Sequence, residues 1–271
     1  AASYKSFCFF FMDLPALDIC NSSELDMFIA KNKIDTVINC AAYTAVDAAE
    51  ENAVIAEQVN GAGVLNLVHA LAKVNGKLIH ISTDYVFDGN DFLPYKESDK
   101  TNPTGAYGKT KRNGELAVIN GDIDGIVIRT SWLYSAYGTN FVKTMRRLGK
   151  ERKELGVIYD QLGTPTYASD LAKTCLDILS YSKETNINAK GNVYHYSNEG
   201  VASWYDFARA IMELGKIECE VRPIETKDYP TAAKRPHYSV LNKSKIKKDF
   251  EIEIPYWRAS LAECISKLNQ E

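Results

Sequence analysis

The sequence predicts an α/β protein built on a doubly wound parallel sheet, with a smaller C-terminal α/β lobe. Three observations carry this. Short β-rich runs alternate with helical stretches through the first two-thirds of the chain; such alternation makes βαβ units, whose parallel sheet is covered on both faces. The runs are apolar without alternation, as in Thr-Val-Ile-Asn-Cys at 36–40, which suits a strand buried on both sides. The last third changes character, with long helical patterns separated by a loop-rich stretch.

In chain order, strands are expected at Phe7–Phe11, Thr36–Cys40, Lys77–Ser82 and Gly125–Thr130. Helices are expected at Ser22–Lys31, Asn52–Val74 and Ala106–Asn120. A short run follows at Val193–Ser197, then a helix opening at Ser203 with apolar Trp204, Phe207, Ala208, Ile211 and Met212. A last helix is expected near Tyr256–Leu268, and Thr226–Ser244, basic and carrying Pro230 and Pro236, reads as loop. The first domain is placed at 1–133, with 161–182 returning to it, and the smaller lobe at 134–271.

Composition narrows the function. The 271 residues are 45% hydrophobic and 25% charged, ordinary for a soluble globular protein. A net charge of -3 gives no broad basic field, so nucleic acid is not an expected partner. The run Phe7–Met12 is too short to span a bilayer, and the start lacks the features of a signal peptide. Six cysteines (Cys8, Cys20, Cys40, Cys175, Cys219, Cys264) stand singly, which reads as reduced, mostly buried thiols in a cytoplasmic protein. No His/Asp/Glu cluster has ligand spacing, so no metal is expected, and the isolated His69, His80, His195 and His237 read as structural.

Tyr107-Gly-Lys-Thr-Lys111 is the first chemical signal. Residues four apart on a helix share a face, so Tyr107 and Lys111 can reach one ligand. A nearby ammonium lowers the pKa of a phenol and tunes it for acid–base work. Taken alone, the pair fits an exposed helix face better than a site. Upstream, the strand Lys77–Ser82 runs into Thr83, at the carboxyl edge where open α/β sheets bind ligands. The Thr83 hydroxyl can hydrogen-bond a substrate carbonyl while Tyr107 supplies the proton, or it can serve only a local turn.

Past the strand at 36–40, small residues including Ala41, Ala42 and Thr44 let the backbone approach a flat cofactor; tight helix–strand packing would use them as well. Arg129-Thr130-Ser131-Trp132-Leu133-Tyr134 puts aromatics just past another strand, either to stack on a ligand or to lid the core. A dinucleotide-binding Rossmann unit opens with a strand and a Gly-rich turn, and this sequence has neither before Phe7–Phe11. Either both are expected upstream of residue 1, or the chain does not hold a pyrophosphate as such a unit does.

The blocks NCAAYTAVDAAE, HISTDYVFDG, YGKTK, RTSWLYS, NFVKTM, DQLGTPT and AKRPHYSVL resemble those of the dTDP-4-dehydrorhamnose reductase family, in that family's order. Y-x-x-x-K is shared by all short-chain dehydrogenases; STDYVFDG with YGKTK and RTSWLY is far more specific. The resemblance implies a Rossmann domain with a sugar-nucleotide lobe and NADPH or NADH as cofactor. It implies that Thr83 polarises a C4 carbonyl, Tyr107 donates the proton, and Lys111 lowers the tyrosine pKa and binds the nicotinamide ribose. The substrate it implies is dTDP-6-deoxy-L-lyxo-4-hexulose, reduced to dTDP-L-rhamnose.

By the same resemblance Asp84, Tyr85, Trp132 and Asn140 line the sugar pocket, and Arg235 is a candidate for the diphosphate, a solvated loop charge being the alternative. Asp13 falls where an acidic residue binds the adenosine ribose, which favours NADH because a 2′-phosphate would meet a carboxylate. Asp18 and Ile19 are expected near the adenine. Some similar enzymes are dimers, so a homodimer is open. Two other readings compete: an epimerase or dehydratase of the same superfamily, and a non-catalytic regulatory homologue. A dehydratase looks for Asp-Glu after the Thr, where this chain has Asp84-Tyr85.

Overall fold

The computed structural model describes Tyr4 and residues 7–185 and 190–270. In chain order it holds α1 (Ser22–Asn32), β1 (Thr36–Asn39), α2 (Val46–Glu51), α3 (Ala53–Glu57), α4 (Gly63–Ala72), β2 (Lys77–Thr83), α5 (Ala106–Asn120) and β3 (Asp124–Thr130). Next come β4 (Leu133–Tyr134), α6 (Phe141–Glu151), β5 (Glu154–Ile158), β6 (Leu162–Gly163), β7 (Thr166–Tyr167) and α7 (Ala168–Thr185). The chain ends with β8 (Asn192–His195), β9 (Ala202–Ser203), α8 (Trp204–Gly215), β10 (Glu220–Ile224), α9 (Ser244–Phe250) and α10 (Trp257–Leu268).

Two compact units form. The first comprises Ala1–Val86, Thr101–Arg129 and Cys175–Tyr194; the second comprises Phe87–Lys100, Thr130–Thr174 and His195–Glu271. The first is organised by a four-stranded sheet in the order β1-β2-β3-β8, with β1 and β2 parallel and Asn39 opposite His80. Its helices are set by local chemistry. Asn21 caps α1 by accepting from Glu24 N–H at 3.2 Å, and Leu25 and Ile29, one turn apart, bury against Val64, Leu67, Val68 and Leu71 of α4. Leu78, Val118 and Val127 complete that core from β2, α5 and β3.

The helix expected over Asn52–Val74 is present but divided. A π-helical segment, Gln58–Ala62, separates α3 from α4 and buries Asn60 and Gly61. Such bulges insert an extra residue into a helix and re-aim the side chains around it.

In the second unit Tyr134, Val142, Met145, Phe207, Ile211, Trp257, Leu261 and Ile265 form the core. The helix expected at Ser203 does open there. Ser203 accepts from Asp206 N–H at 3.0 Å while Asp206 accepts from Ser203 N–H at 2.9 Å, a reciprocal capping box. The stretch expected as loop at Thr226–Ser244 holds a 3-10 turn at Thr226–Asp228 and isolated bridges at Tyr238 and Leu241, and its last residue opens α9.

Two expectations are corrected. Phe7–Phe11 is not a strand: the segment is irregular, and no described strand runs beside it to satisfy its backbone groups. Its phenylalanines pair with one another instead, Phe9 stacking on Phe11 with centroids 5.9 Å apart. The cysteines are all free, but only Cys175 and Cys264 are buried, while Cys8, Cys20 and Cys40 are exposed. Cys8 lies in that irregular segment, and Cys20 and Cys40 fall in a turn and just past a strand end, where side chains meet solvent.

Candidate active site

Helix α5 carries Tyr107 and Lys111, and its first turn is held from outside. Gly105 has no side chain to cap it, so Glu50 of α2 accepts the Ala106 N–H at 2.8 Å. Two glycines let the helix lie close to its neighbours. A Cβ on Gly108 would stand 2.2 Å from the Tyr85 carbonyl oxygen, and one on Gly114 would stand 2.2 Å from the Asn60 carbonyl oxygen. This close approach brings α5 against the carboxyl end of β2.

There Thr83, the last residue of β2, is 5% exposed, and the adjoining Asp84 is 3% exposed. Thr83 Oγ1 donates to Asp84 Oδ1 at 3.0 Å and accepts from Tyr85 N–H at 3.2 Å. The Tyr85 ring meets Tyr107 edge-on, with centroids 5.5 Å apart. Tyr107 keeps part of its surface in solvent, but its hydroxyl lies deep enough that burial pushes the phenol up to about 12. Hydrogen bonding with Thr83 pulls it down, and the Asp84 carboxylate pushes it up.

Lys111 is 2% exposed and donates its ammonium to the Ile81 carbonyl at 2.7 Å. Burial pushes it down to about 8, opposed first by the Glu115 carboxylate. The expected lowering of the tyrosine by Lys111 is therefore not the leading influence here. The ammonium is turned to the Ile81 carbonyl, and burial is the largest influence on each group.

Asn60, in the π segment, ties these parts together. Its amide accepts from Tyr43 N–H at 2.9 Å and donates to the Tyr43 carbonyl and to Thr110 Oγ1, both at 3.1 Å. It thus fixes the loop after β1 to the turn of α5 between Tyr107 and Lys111. Sequence reading missed Asn60; its signal was an Asn-Gly pair inside an otherwise apolar helical run. Glu50 had none, because its partner is 56 residues away.

The other expected residues fall as follows. Ala41 and Thr44 are exposed and Ala42 half-buried in the loop after β1, where Ala41 N–H donates to Asn39 Oδ1 at 3.1 Å. Asp13 Oδ1 accepts from Leu14 N–H and Asp18 Oδ1 from Cys20 N–H, each at 2.8 Å, so both carboxylates shape turns. Ile19 packs on α4, where a Cβ on Gly63 would meet its side chain at 2.9 Å.

Trp132, Asn140 and Arg235 belong to the second unit. Trp132 has a left-handed φ of 47° and stacks on Trp204 with centroids 3.6 Å apart, which covers one ring face. Asn140 caps α6 through Lys143 N–H and donates to the Ser135 carbonyl at 2.7 Å, so its amide is committed to the fold. Arg235 donates to the Ala233 carbonyl at 2.8 Å.

The parallel sheet defines a Rossmann-like α/β protein, with Thr83 at the end of β2 and Tyr107 and Lys111 on the helix packed against it. The RmlD substrate binding domain model matches residues 2–270, and the chain belongs to that family. A relative from Burkholderia thailandensis, a dTDP-4-dehydrorhamnose reductase, is 40% identical over 93% of this chain and 88% of its own. A crystal structure of the Clostridium acetobutylicum dTDP-4-dehydrorhamnose reductase superposes with a TM-score of 0.88 at 42% identity, covering 95% of this chain and 89% of that one. The Bacillus anthracis reductase in complex with NADP gives 0.88 at 37% identity, over 94% and 89% of the two chains.

Proposed function

We propose that this protein reduces the C4 keto group of dTDP-6-deoxy-L-lyxo-4-hexulose to give dTDP-L-rhamnose, using NADPH or NADH. The observation that carries the reading is the convergence of Thr83, Tyr107 and Lys111 at one strand end, in a chain of this family. A reduced nicotinamide, when bound, supplies the hydride.

The residues fit its ribose end. An ammonium has three donors, and Lys111 spends one on Ile81, leaving two for ribose hydroxyls. Ala41 and Ala42 beside β1 offer no bulk against a flat ring. The family's Gly-rich diphosphate turn does not occur in this sequence, so no residue is assigned to the diphosphate of the cofactor.

The chain's own part is proton supply and orientation. Tyr107, held protonated by its raised pKa, donates to the C4 oxygen as charge develops there. Thr83 shares that oxygen through its hydroxyl, a bond it now spends on Asp84. Asp84 and Tyr85 are proposed to contact the sugar, and Trp132, Asn140 and Arg235 would follow the family pattern. Asp13 is proposed to meet the adenosine ribose, with Asp18 and Ile19 near the adenine.

We place the protein in the cytoplasm, in keeping with six free cysteines. No described helix is long and apolar enough to cross a membrane. We also infer a homodimer, supported by Val54, Ile55, Leu65 and Leu116, which stay exposed on α3, α4 and α5; light scattering that gives a monomer would overturn it.

The activity test supplies the purified protein with the 4-keto sugar, made in place by a dehydratase and an epimerase. Loss of NADPH or NADH absorbance with formation of dTDP-L-rhamnose is the expected result. A folded protein that oxidises neither cofactor would sink the assignment.

A further inference from the structure

One turn beyond Lys111 on the same face of α5 lies Glu115, with no exposed surface. Its carboxylate accepts four hydrogen bonds from three elements. Arg129 of β3 donates Nε and Nη2, both at 2.8 Å, Ser82 of β2 donates its hydroxyl at 2.7 Å, and Arg112 of α5 donates Nη1 at 2.7 Å. Arg129 is itself 2% exposed, so this is a desolvated ion pair rather than a surface one.

A buried pair of this kind is a poor stability device. Its desolvation cost is large, and apolar residues of similar volume often serve the fold as well or better. Its location suggests another use. Ser82 immediately precedes Thr83, so the carboxylate fixes α5 to the strand end that holds the carbonyl-binding hydroxyl. Lys111, enclosed one turn away, needs a nearby anion to stay an ammonium. The groups facing Lys111 are His80 and the Ile81 carbonyl on β2, Cys40 past β1, and Glu115. The buried His80 is held well below its usual range by desolvation and then by Lys111, so it is neutral. The groups facing Glu115 are Arg129, Arg112 and Ser82, and they keep it ionised.

We propose that Glu115 is a positioning residue of the reaction: held by Arg129 and Ser82, its carboxylate keeps Lys111 protonated and locks the Thr83 strand end against the helix that carries Tyr107. The proposal rests on the reductase reading for its activity arm, but not for its titration arm.

The test compares wild type with E115Q and with E115M/R129M, which replaces the buried pair by apolar side chains and is expected to fold. Lysine Nζ titration is followed by NMR on protein with labelled lysines, using K111R to assign the resonance, and kcat/KM is measured against pH. Both variants are expected to titrate Lys111 about one pH unit lower, and to lose about fivefold more activity at pH 8 as the protonated fraction falls. E115D, which keeps the charge, restores the wild-type titration. Folded variants with an unchanged Lys111 titration overturn the proposal, as does failure of both to fold, which would assign Glu115 to the core alone. An inactive wild type whose Lys111 still shifts in E115Q would sink the reductase reading while leaving Glu115 as the anion for Lys111.

Discussion

Lys111 Nζ donates to the carbonyl oxygen of Ile81 at 2.7 Å, so the ammonium is anchored to the strand that ends in Thr83 rather than to the tyrosine on its own helix. Burial pushes that ammonium down to about 8, while the Tyr107 phenol is pushed up to about 12. The two groups therefore titrate in the order opposite to their usual one. If Lys111 acts as the proposed ammonium, kcat/KM is expected to hold below pH 8 and fall as pH rises through it, with the phenol still protonated. Lys111→Arg, which stays charged, should push the alkaline fall beyond pH 10, at some cost in turnover. A wild-type profile flat to pH 10 would contradict this.

Tyr107→Phe removes the hydroxyl proposed as the proton donor and keeps the ring that meets Tyr85. Turnover is expected to drop about 10²–10⁴-fold, the usual worth of a positioned general acid, with cofactor affinity within about twofold of wild type. Stopped-flow single turnovers and a cofactor fluorescence titration separate the two. Turnover near wild type would remove Tyr107 as the acid.

Much of the first unit was legible in the sequence, for a physical reason. β1, β2, β3 and α5 are continuous runs whose apolar faces answer to the same sheet, and period and capping report that directly. The Tyr107–Lys111 spacing and the place of Thr83 at a strand end were legible likewise. What escaped depends on partners far away in the chain. Glu115 carries no signal within the helix expected at Ala106–Asn120, because only folding brings Arg129 to it. Asn60 read as one residue of a long helix, because its partners Tyr43 and Thr110 lie on other elements. Phe7–Phe11 failed in the other direction: it has β-rich composition, but a strand also needs a neighbour.

Gly108 tests whether the close approach of α5 matters. A Cβ there would meet the Tyr85 carbonyl oxygen at 2.2 Å and Pro103 Cβ at 3.0 Å, and backbone cannot swing aside as a side chain can. Gly108→Ala is expected to cost about 1–3 kcal/mol of stability by overpacking, and to lower kcat by moving Tyr107. Gly138→Ala is the control on space, since nothing lies within 4 Å of its added Cβ, although its φ of 65° carries its own strain. Urea midpoints and kcat for both variants decide it; a Gly108→Ala protein with wild-type kcat would show that the packing does not set the tyrosine.

Acid stability should report the buried carboxylate. Hydrogen bonding and attraction from Arg129 outweigh burial and lower the Glu115 pKa in the folded state, so the unfolded chain takes up the proton first as pH falls. The contribution is complete above about pH 4.5 and is lost progressively as pH falls from there through the folded pKa. E115M/R129M is expected to show a shallower loss of urea midpoint between pH 5 and pH 3 than wild type. Equal slopes would mean that other carboxylates govern acid unfolding.

Asp13 sets the cofactor prediction. Its carboxylate is exposed and accepts from the Leu14 N–H that follows it, so the negative charge is open to solvent at the position proposed to meet the adenosine ribose. A 2′-phosphate approaching that charge is repelled, whereas ribose hydroxyls can donate to it. Asp13→Ala is therefore expected to raise kcat/KM for NADPH relative to NADH by about tenfold, which corresponds to roughly 1.4 kcal/mol of differential binding. Raising the salt concentration should narrow the wild-type difference, because an exposed charge is screened. If Asp13→Ala leaves the NADPH to NADH ratio unchanged, the carboxylate serves only its own turn, and cofactor choice must be set by other residues.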